Sequence, residues 1–299
     1  MNPWPVEADV PEVHLPRPGH ADLAGVQKYG FTDVRNVLER ASARETAARV
    51  AGGAVAKAFL RDLGISVVSH VTQIGSVRAP ARADLALEDF AGVDASPVRC
   101  LDADASRAMV EEINVLRKRN ESLGGTFEAR AYGLVPGLGS HVSWEQRLDG
   151  RLAGAICSIQ ACKGVAFGDG FDVAGRPGSE AHDEIFYDER RGFYRETNRS
   201  GGLEGGMTTG EPVLIRAAMK PLPTLTKPLR SVDIATREPA QALRERTDSA
   251  VVPAAGVVGE AMVAFVVASA YRAKFGGDHI DDVREALARY EERIGWSRR

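Results

Sequence analysis

The sequence predicts an α+β fold, for three reasons. Stretches with the two-residue alternation of a strand are interleaved with stretches of helical periodicity. No Pro- or Ser-rich linker separates them, so residues 1–299 read as a single domain. Ala, Val and Gly are plentiful while aromatic residues make up only 6% of the chain, which favours helices and sheets packed closely through small side chains.

Residues 1–30, with Pro3, Pro5, Pro11, Pro16 and Pro18, read as loop. Ser42 followed by Glu45 fits a capping box and predicts a helix over 46–63, stopped by Gly64. The Val/Ile-rich alternation at 65–74 predicts a strand, and the polar stretch 76–103 a surface loop. A charged amphipathic helix follows over 106–123, ended by Gly124 and Gly125, then a strand over 126–135. Residues 144–163 read as helix, 164–171 as a glycine-rich turn, and 172–200 as irregular. A strand over 212–219, a Pro- and Thr-rich loop over 220–228 and a short extended piece at 231–234 come next. Pro253 at a helix-start position opens a long apolar helix over 253–271, with Gly276 and Gly277 beyond its end, and 280–294 is a final amphipathic helix. Residues 250–270 approach the length of a bilayer span, but Pro253 and Glu260 interrupt them and no second span accompanies them. They read as a core helix, and no membrane partner is expected.

There is a faint internal echo. Arg40-Ala41-Ser42 precedes one small-residue helix and Arg246-Thr247-Asp248 the other; aligning the arginines brings Gly53 onto Gly259 and Phe59 onto Phe265. Chance between two Ala/Val-rich helices and a duplicated unit account for this equally well.

The charge balance, 38 basic against 41 acidic residues, offers no basic excess for a nucleic-acid partner. A small phosphorylated ligand needs only a few converging Arg and Lys and stays open. Cys100, Cys157 and Cys162 are odd in number and lack framework spacing, which points to a reducing, cytoplasmic setting.

Five segments could carry chemistry. In Arg17-Pro18-Gly19-His20-Ala21-Asp22 a tight turn carries a histidine, the side chain readiest to exchange a proton near neutrality. A locally bonded loop histidine is the plainer reading, but Arg17 suits an anionic leaving group beside it. Arg40, Ser42 and Arg44 lie at a helix N-terminus, where amides and dipole favour an anion, although an ordinary capping box with surface ion pairs explains them as well. The tract 201–210, ending at Gly210, lets backbone approach a ligand but has neither P-loop nor dinucleotide spacing. Lys220-Pro221-Leu222-Pro223-Thr224 could hold an anion or form a plain turn. Arg246-Thr247-Asp248 is either a base held ionised or a structural ion pair. His182-Asp183-Glu184 lacks metal-ligand spacing and reads as structural; no metal is expected.

Taken in order, these motifs resemble those of the chorismate synthase family. The resemblance is carried by Arg17 to Asp22, Lys28-Tyr-Gly30, Glu39 to Thr46, Lys163-Gly-Val165 with Gly168-Asp-Gly-Phe171, Asn198 to Met207, Arg216-Ala-Ala-Met-Lys-Pro221, Ser231-Val-Asp233 and Arg246-Thr-Asp248, over roughly residues 11–277. It implies a β-α-β sandwich with pseudo-twofold internal symmetry, assembled as a homotetramer. It also implies anti-1,4-elimination of phosphate from 5-enolpyruvylshikimate 3-phosphate to give chorismate, with reduced FMN and no net redox change. By the same resemblance His20 is the general acid for the departing phosphate, and Asp248 helps to remove the proton from flavin N5. Arg17, Arg44 and Arg246 hold substrate anions. Arg40, Ala41, Ser42, Gln160, Ala161, Gly210, Lys220, Pro221, Leu222, Pro223, Thr224 and Arg246 hold FMN. No reductase domain is visible, so an external flavin reductant is implied.

The resemblance departs at the start. The family begins with a strand and a Gly-Glu-Ser-His-Gly motif whose histidine attends the reduced flavin, followed by arginines for substrate. This chain contains no such motif, and His14 lies in none. The expectation is a chain missing the first strand, with weak or absent turnover. A catalytically impaired fragment or a flavin-binding paralogue is the alternative to an active lyase.

Overall fold

Alternating burial along extended segments builds the main sheet. Its strands are β1 (Ser66–Ile74), β2 (Val77–Arg78), β3 (Gly125–Tyr132), β4 (Cys162–Phe167) and β5 (Val213–Met219). They lie in the order β2-β1-β3-β5-β4, every neighbouring pair antiparallel. Along β5, Val213, Ile215, Ala217 and Met219 are buried while the residues between them are half-buried, the period-two pattern of a sheet with one covered face. The computed structural model describes residues 11–190, 192–245 and 247–297.

A helical layer covers that face. In chain order the longer helices are α1 (Asp22–Tyr29), α2 (Thr46–Asp62), α3 (Ala103–Lys118), α4 (Leu148–Cys157), α5 (Val252–Phe275) and α6 (Ile280–Ile294). Helix α5 packs on β1 and β3, with α2 and α4 against it. It is buried on most of its circumference from Val252 to Tyr271, which accounts for its apolar sequence. Small residues permit the close approach: a Cβ on Gly53 of α2 would overlap the Ala261 side chain of α5. One on Gly259 would lie 2.6 Å from the Phe127 ring of β3. The two glycines aligned by the echo thus both sit at tight contacts, against different neighbours. Glu260 on the same helix is buried; it accepts hydrogen bonds from Lys57 (2.5 Å), Ser69 (2.7 Å) and Arg99 (3.0 Å).

A second, smaller core stands apart. Val26 of α1 packs with Val34, Val37 and Leu38, flanked by Val13, Ile234 and Leu243. A Cβ on Gly25 would overlap Val37. The short pair Arg230–Val232 with Pro239–Gln241 borders this cluster. Ser231 Oγ donates to the Pro16 carbonyl at 2.6 Å, and the Ile234 amide to His14 at 3.0 Å.

Several boundaries differ from the sequence reading. Residues 22–29 are helical rather than loop, because Val26 finds its partners 8 to 12 residues on, beyond the reach of local periodicity. Ser42 caps a short 3-10 turn, Ala43–Glu45, by accepting from the Arg44 amide, while Glu45 turns away to Gln160 and Arg49; the capping box is only half formed. The predicted helix 144–163 ends at Cys157, and Ala161, at φ 65°, redirects the chain into β4 where a glycine-rich turn was expected. Within 172–200, Ile185–Asp188 pairs with Gly192–Arg195 as a hairpin. Asp102 caps α3 by accepting from the Ala105 amide, so that helix starts earlier than predicted.

Candidate active site

The small core presents the Arg17 to His20 turn to the ends of β4 and β5. Gly19 takes a left-handed φ of 79°, and the His20 amide closes the turn on the Arg17 carbonyl at 3.2 Å. Asp22, the first residue of α1, is fully buried. It accepts from the Arg17 amide (3.0 Å), Arg17 Nε (2.9 Å) and Arg17 Nη2 (3.2 Å), and its Oδ1 lies 2.5 Å from His20 Nδ1. Burial alone would raise the Asp22 carboxyl, but the hydrogen bonds from His20 and Arg17 outweigh it and hold the acid far below the ordinary carboxylate range. An ionised Asp22 therefore fixes the imidazole through Nδ1.

Arg17 is only 6% exposed. Besides Asp22 it donates to Thr224 Oγ1 at 2.9 Å and Glu245 Oε2 at 3.0 Å, and its Nη2 lies 3.2 Å from His20 Nδ1. Its guanidinium is thus spent on the protein, and it serves as the hub that fixes the turn, Thr224 and Glu245 relative to one another.

Lys220 follows β5 directly. Its ammonium donates to the Gly19 carbonyl, and its amide to the Ala161 carbonyl at 3.0 Å. Burial, and then the nearby Lys163, lower its proton affinity. Pro223 packs near Gly19, and the Leu222 carbonyl accepts from Ser122 Oγ at 2.7 Å. Next to Ala161, Gln160 Nε2 donates to Glu45 Oε1 at 2.6 Å, which ties the 40–45 segment to the same place. Hydrogen bonds from Gln160 and Arg49 lower the Glu45 carboxyl. Gln160 Oε1 is buried with no partner among the described residues. Arg40 is exposed and Ala41 and Ser42 are half-buried, a few residues before Glu45 in the chain.

The structure therefore brings together Arg17, His20 and the run Lys220 to Thr224, with Gln160 and Ala161 beside Lys220. Asp248 is exposed beyond Glu245, and its carboxylate has no hydrogen-bond or ion-pair partner among the described residues. Arg44 is exposed and paired with Glu39 at 3.2 Å. Gly210 sits at the far end of β5 from Lys220, where a Cβ would meet Trp296 and Pro136. Arg246 lies outside the described residues. Sequence reasoning gave no role to Asp22, Glu245 or Lys163. Asp22 was within reach, two residues from a histidine and five from an arginine; the other two are joined only by the fold. Asp183 is structural, as its sequence context implied: it accepts from Thr197 Oγ1 (2.5 Å) and the amides of Arg199 (2.8 Å) and Ser200 (2.9 Å).

Comparison with known proteins adds an independent finding. The family model described as chorismate synthase matches residues 7–271. A chorismate synthase of Thermobifida fusca is 55% identical over 299 residues, covering 97% of this chain and 76% of that protein. One from Acidothermus cellulolyticus is 58% identical over 276 residues, covering 92% and 70%. A solved structure titled as a crystal structure of chorismate synthase superposes with a TM-score of 0.80 at 41% identity, over 92% of this chain and 76% of that one.

Proposed function

This chain belongs to the chorismate synthase family, lyases of aromatic amino-acid biosynthesis, and from that premise we propose that its cleft is built to eliminate phosphate from 5-enolpyruvylshikimate 3-phosphate beside a bound reduced FMN. The observation that carries this reading is the buried Asp22 holding His20, with the Lys220 ammonium donating to the neighbouring Gly19 carbonyl.

The residues fit a flavin mononucleotide. Lys220 and Lys163 lie close enough to repel one another, an arrangement that a phosphate relieves. The unpartnered, buried Gln160 Oε1 suits an N–H donor of a ring. Ser42, Ala161 and Pro221 to Thr224 would complete the holding set. Reduced FMN, when bound, supplies electron density to the breaking C–O bond and recovers it, so the reaction has no net redox change.

The rest falls to the chain's own side chains. Asp22 keeps His20 in one orientation and frees Nε2 to deliver a proton to the departing phosphate. Arg17 acts as a positioning residue, because its N–H groups are occupied by protein. Arg44, held only by its surface pair with Glu39, can turn to a substrate anion, and the exposed Arg40 is left for the flavin. Asp248, exposed and without a partner, is available to accept a proton. We read the protein as cytoplasmic, assembling as a homotetramer and drawing on an external flavin reductant.

The test is anaerobic phosphate release from 5-enolpyruvylshikimate 3-phosphate with reduced FMN, alongside an FMN titration. His20→Ala should cut release by about 10²–10⁴-fold while leaving FMN affinity unchanged. Unchanged release would remove His20 from the mechanism. A second reading, flavin binding without turnover, is favoured by one observation: of the six histidines only His20 joins the site, while His14 pairs with Glu12 at 3.0 Å. FMN binding without phosphate release would select it.

A further inference from the structure

The face of the sheet opposite α5 carries polar groups that the elimination does not use. His70 on β1, Glu128 on β3 and Arg216 on β5 stand opposite one another in register. They line a cleft of about 410 Å³ whose walls also include Ala79, Ala166 and Phe171. Two sequence motifs without a role in the chemistry meet here, Gly168-Asp-Gly-Phe171 and the start of Arg216-Ala-Ala.

The charges in this cleft do not cancel. Glu128 is claimed by Arg130 Nε at 2.6 Å, and Arg130 spends its other N–H groups on the carbonyls of Arg82, Ala83 and Leu85. Asp169 pairs with Arg176, and Asp172 is exposed at the rim. Arg216, by contrast, has no hydrogen-bond or ion-pair partner among the described residues, and its Nε is buried. His70 is 7% exposed; Nε2 stands 3.5 Å from Glu128, and Nδ1 is buried with no partner. A guanidinium left without a partner in the wall of a cleft is costly unless something fills it. Gly170, at φ 57°, keeps the arrangement possible, since a Cβ there would come within 2.9 Å of Arg216 Nη2. Above them the Phe171 ring is 87% exposed, an apolar surface with nothing against it.

We propose that this cleft is a second ligand site, separate from the lyase centre, which takes a small organic carboxylate with an apolar body. The carboxylate pairs with Arg216, the planar match that guanidinium makes well. The apolar body lies against Ala79, Ala166 and Phe171, in a cleft of a size usual for small-molecule sites.

Benzoate is the probe, with neutral benzamide as control, titrated into the full chain by calorimetry and saturation-transfer NMR. Benzoate should bind at least about ten-fold more tightly than benzamide, as a charge-assisted pair requires. Arg216→Gln should weaken benzoate at least about ten-fold. Ala166→Leu, which fills the cleft without touching a charge, should do the same, with FMN affinity and thermal unfolding unchanged in both. The proposal is overturned by no benzoate binding, by equal binding of benzamide, by indifference to both variants, or by displacement of benzoate with FMN. It also fails if the variants alter self-association in sedimentation while benzoate is not taken up, because the cleft then belongs to an interface with a second copy.

Discussion

The molecule has two cores of unequal weight, and the candidate chemistry hangs on the lighter one. The larger core is a sheet of five strands under α2, α4 and α5, tied across by the buried Glu260. The smaller is Val26, Val34, Val37 and Leu38 with three flanking side chains, and it adjoins the turn bearing Arg17 and His20. Electrostatics compensates for the thin packing. Asp22 and Arg17 exchange hydrogen bonds with Thr224, Glu245 and His20, which brace a turn that few apolar contacts hold. A reactive group can thus be placed precisely on a weakly packed element when a buried ion pair fixes it.

If the two cores are separate cooperative units, substitutions should sort between them. The largest effect is expected from Glu260→Ala, which removes the buried acceptor shared by Lys57, Ser69 and Arg99, while Arg99 keeps Asp94, and should cost about 3 kcal/mol in urea unfolding of the larger core. Leu38→Ala should cost about 2 kcal/mol but locally: hydrogen exchange should quicken over 22–29 while β1 and β3 amides stay protected. Equal loss of protection in β1 and β3 would mean one unit rather than two.

Asp22→Asn should cost about 2 kcal/mol and remove an acid dependence. The Asp22 acid is weaker in the unfolded chain, at an ordinary value near 3.8, than in the fold, where it is depressed. Its contribution is therefore complete above about pH 5 and is lost progressively as pH falls below that. Acid melting of the 22–29 segment followed by circular dichroism and exchange should shift in wild type and flatten in the variant; identical acid curves would break the assignment. Arg44→Ala should be smallest, within about 0.5 kcal/mol, because its pair with Glu39 is on the surface. A larger loss of thermal stability would mean that Arg44 belongs to the brace.

Much of this was legible in the sequence where structure is local. Helix α6 matches its amphipathic pattern at both ends, β1 and β5 match theirs within a residue, and Pro253 with Gly276 bracketed α5 closely. Helix α1 was missed because its packing partners lie outside its own segment, and β4 because Gly164 and Ala166 have weak strand preference and are extended only by pairing with β5. At the candidate site, His20 and Lys220 stood out as residue types in telling contexts. Glu245, Lys163 and the hub role of Arg17 did not, since each depends on a neighbour more than 50 residues away.

The sequence by itself determined the α+β class, most element positions, the family resemblance and the turn that carries a histidine. Those follow from periodicity, capping and turn chemistry, which act over a few residues. Only the tertiary structure decided that Arg17 is spent on protein rather than left open, that Gly210 stands a strand's length from Lys220, and that Arg216 faces a cleft with no partner among the described residues. Those outcomes depend on which strands become neighbours, and that is set by burial of the whole core rather than by any local stretch.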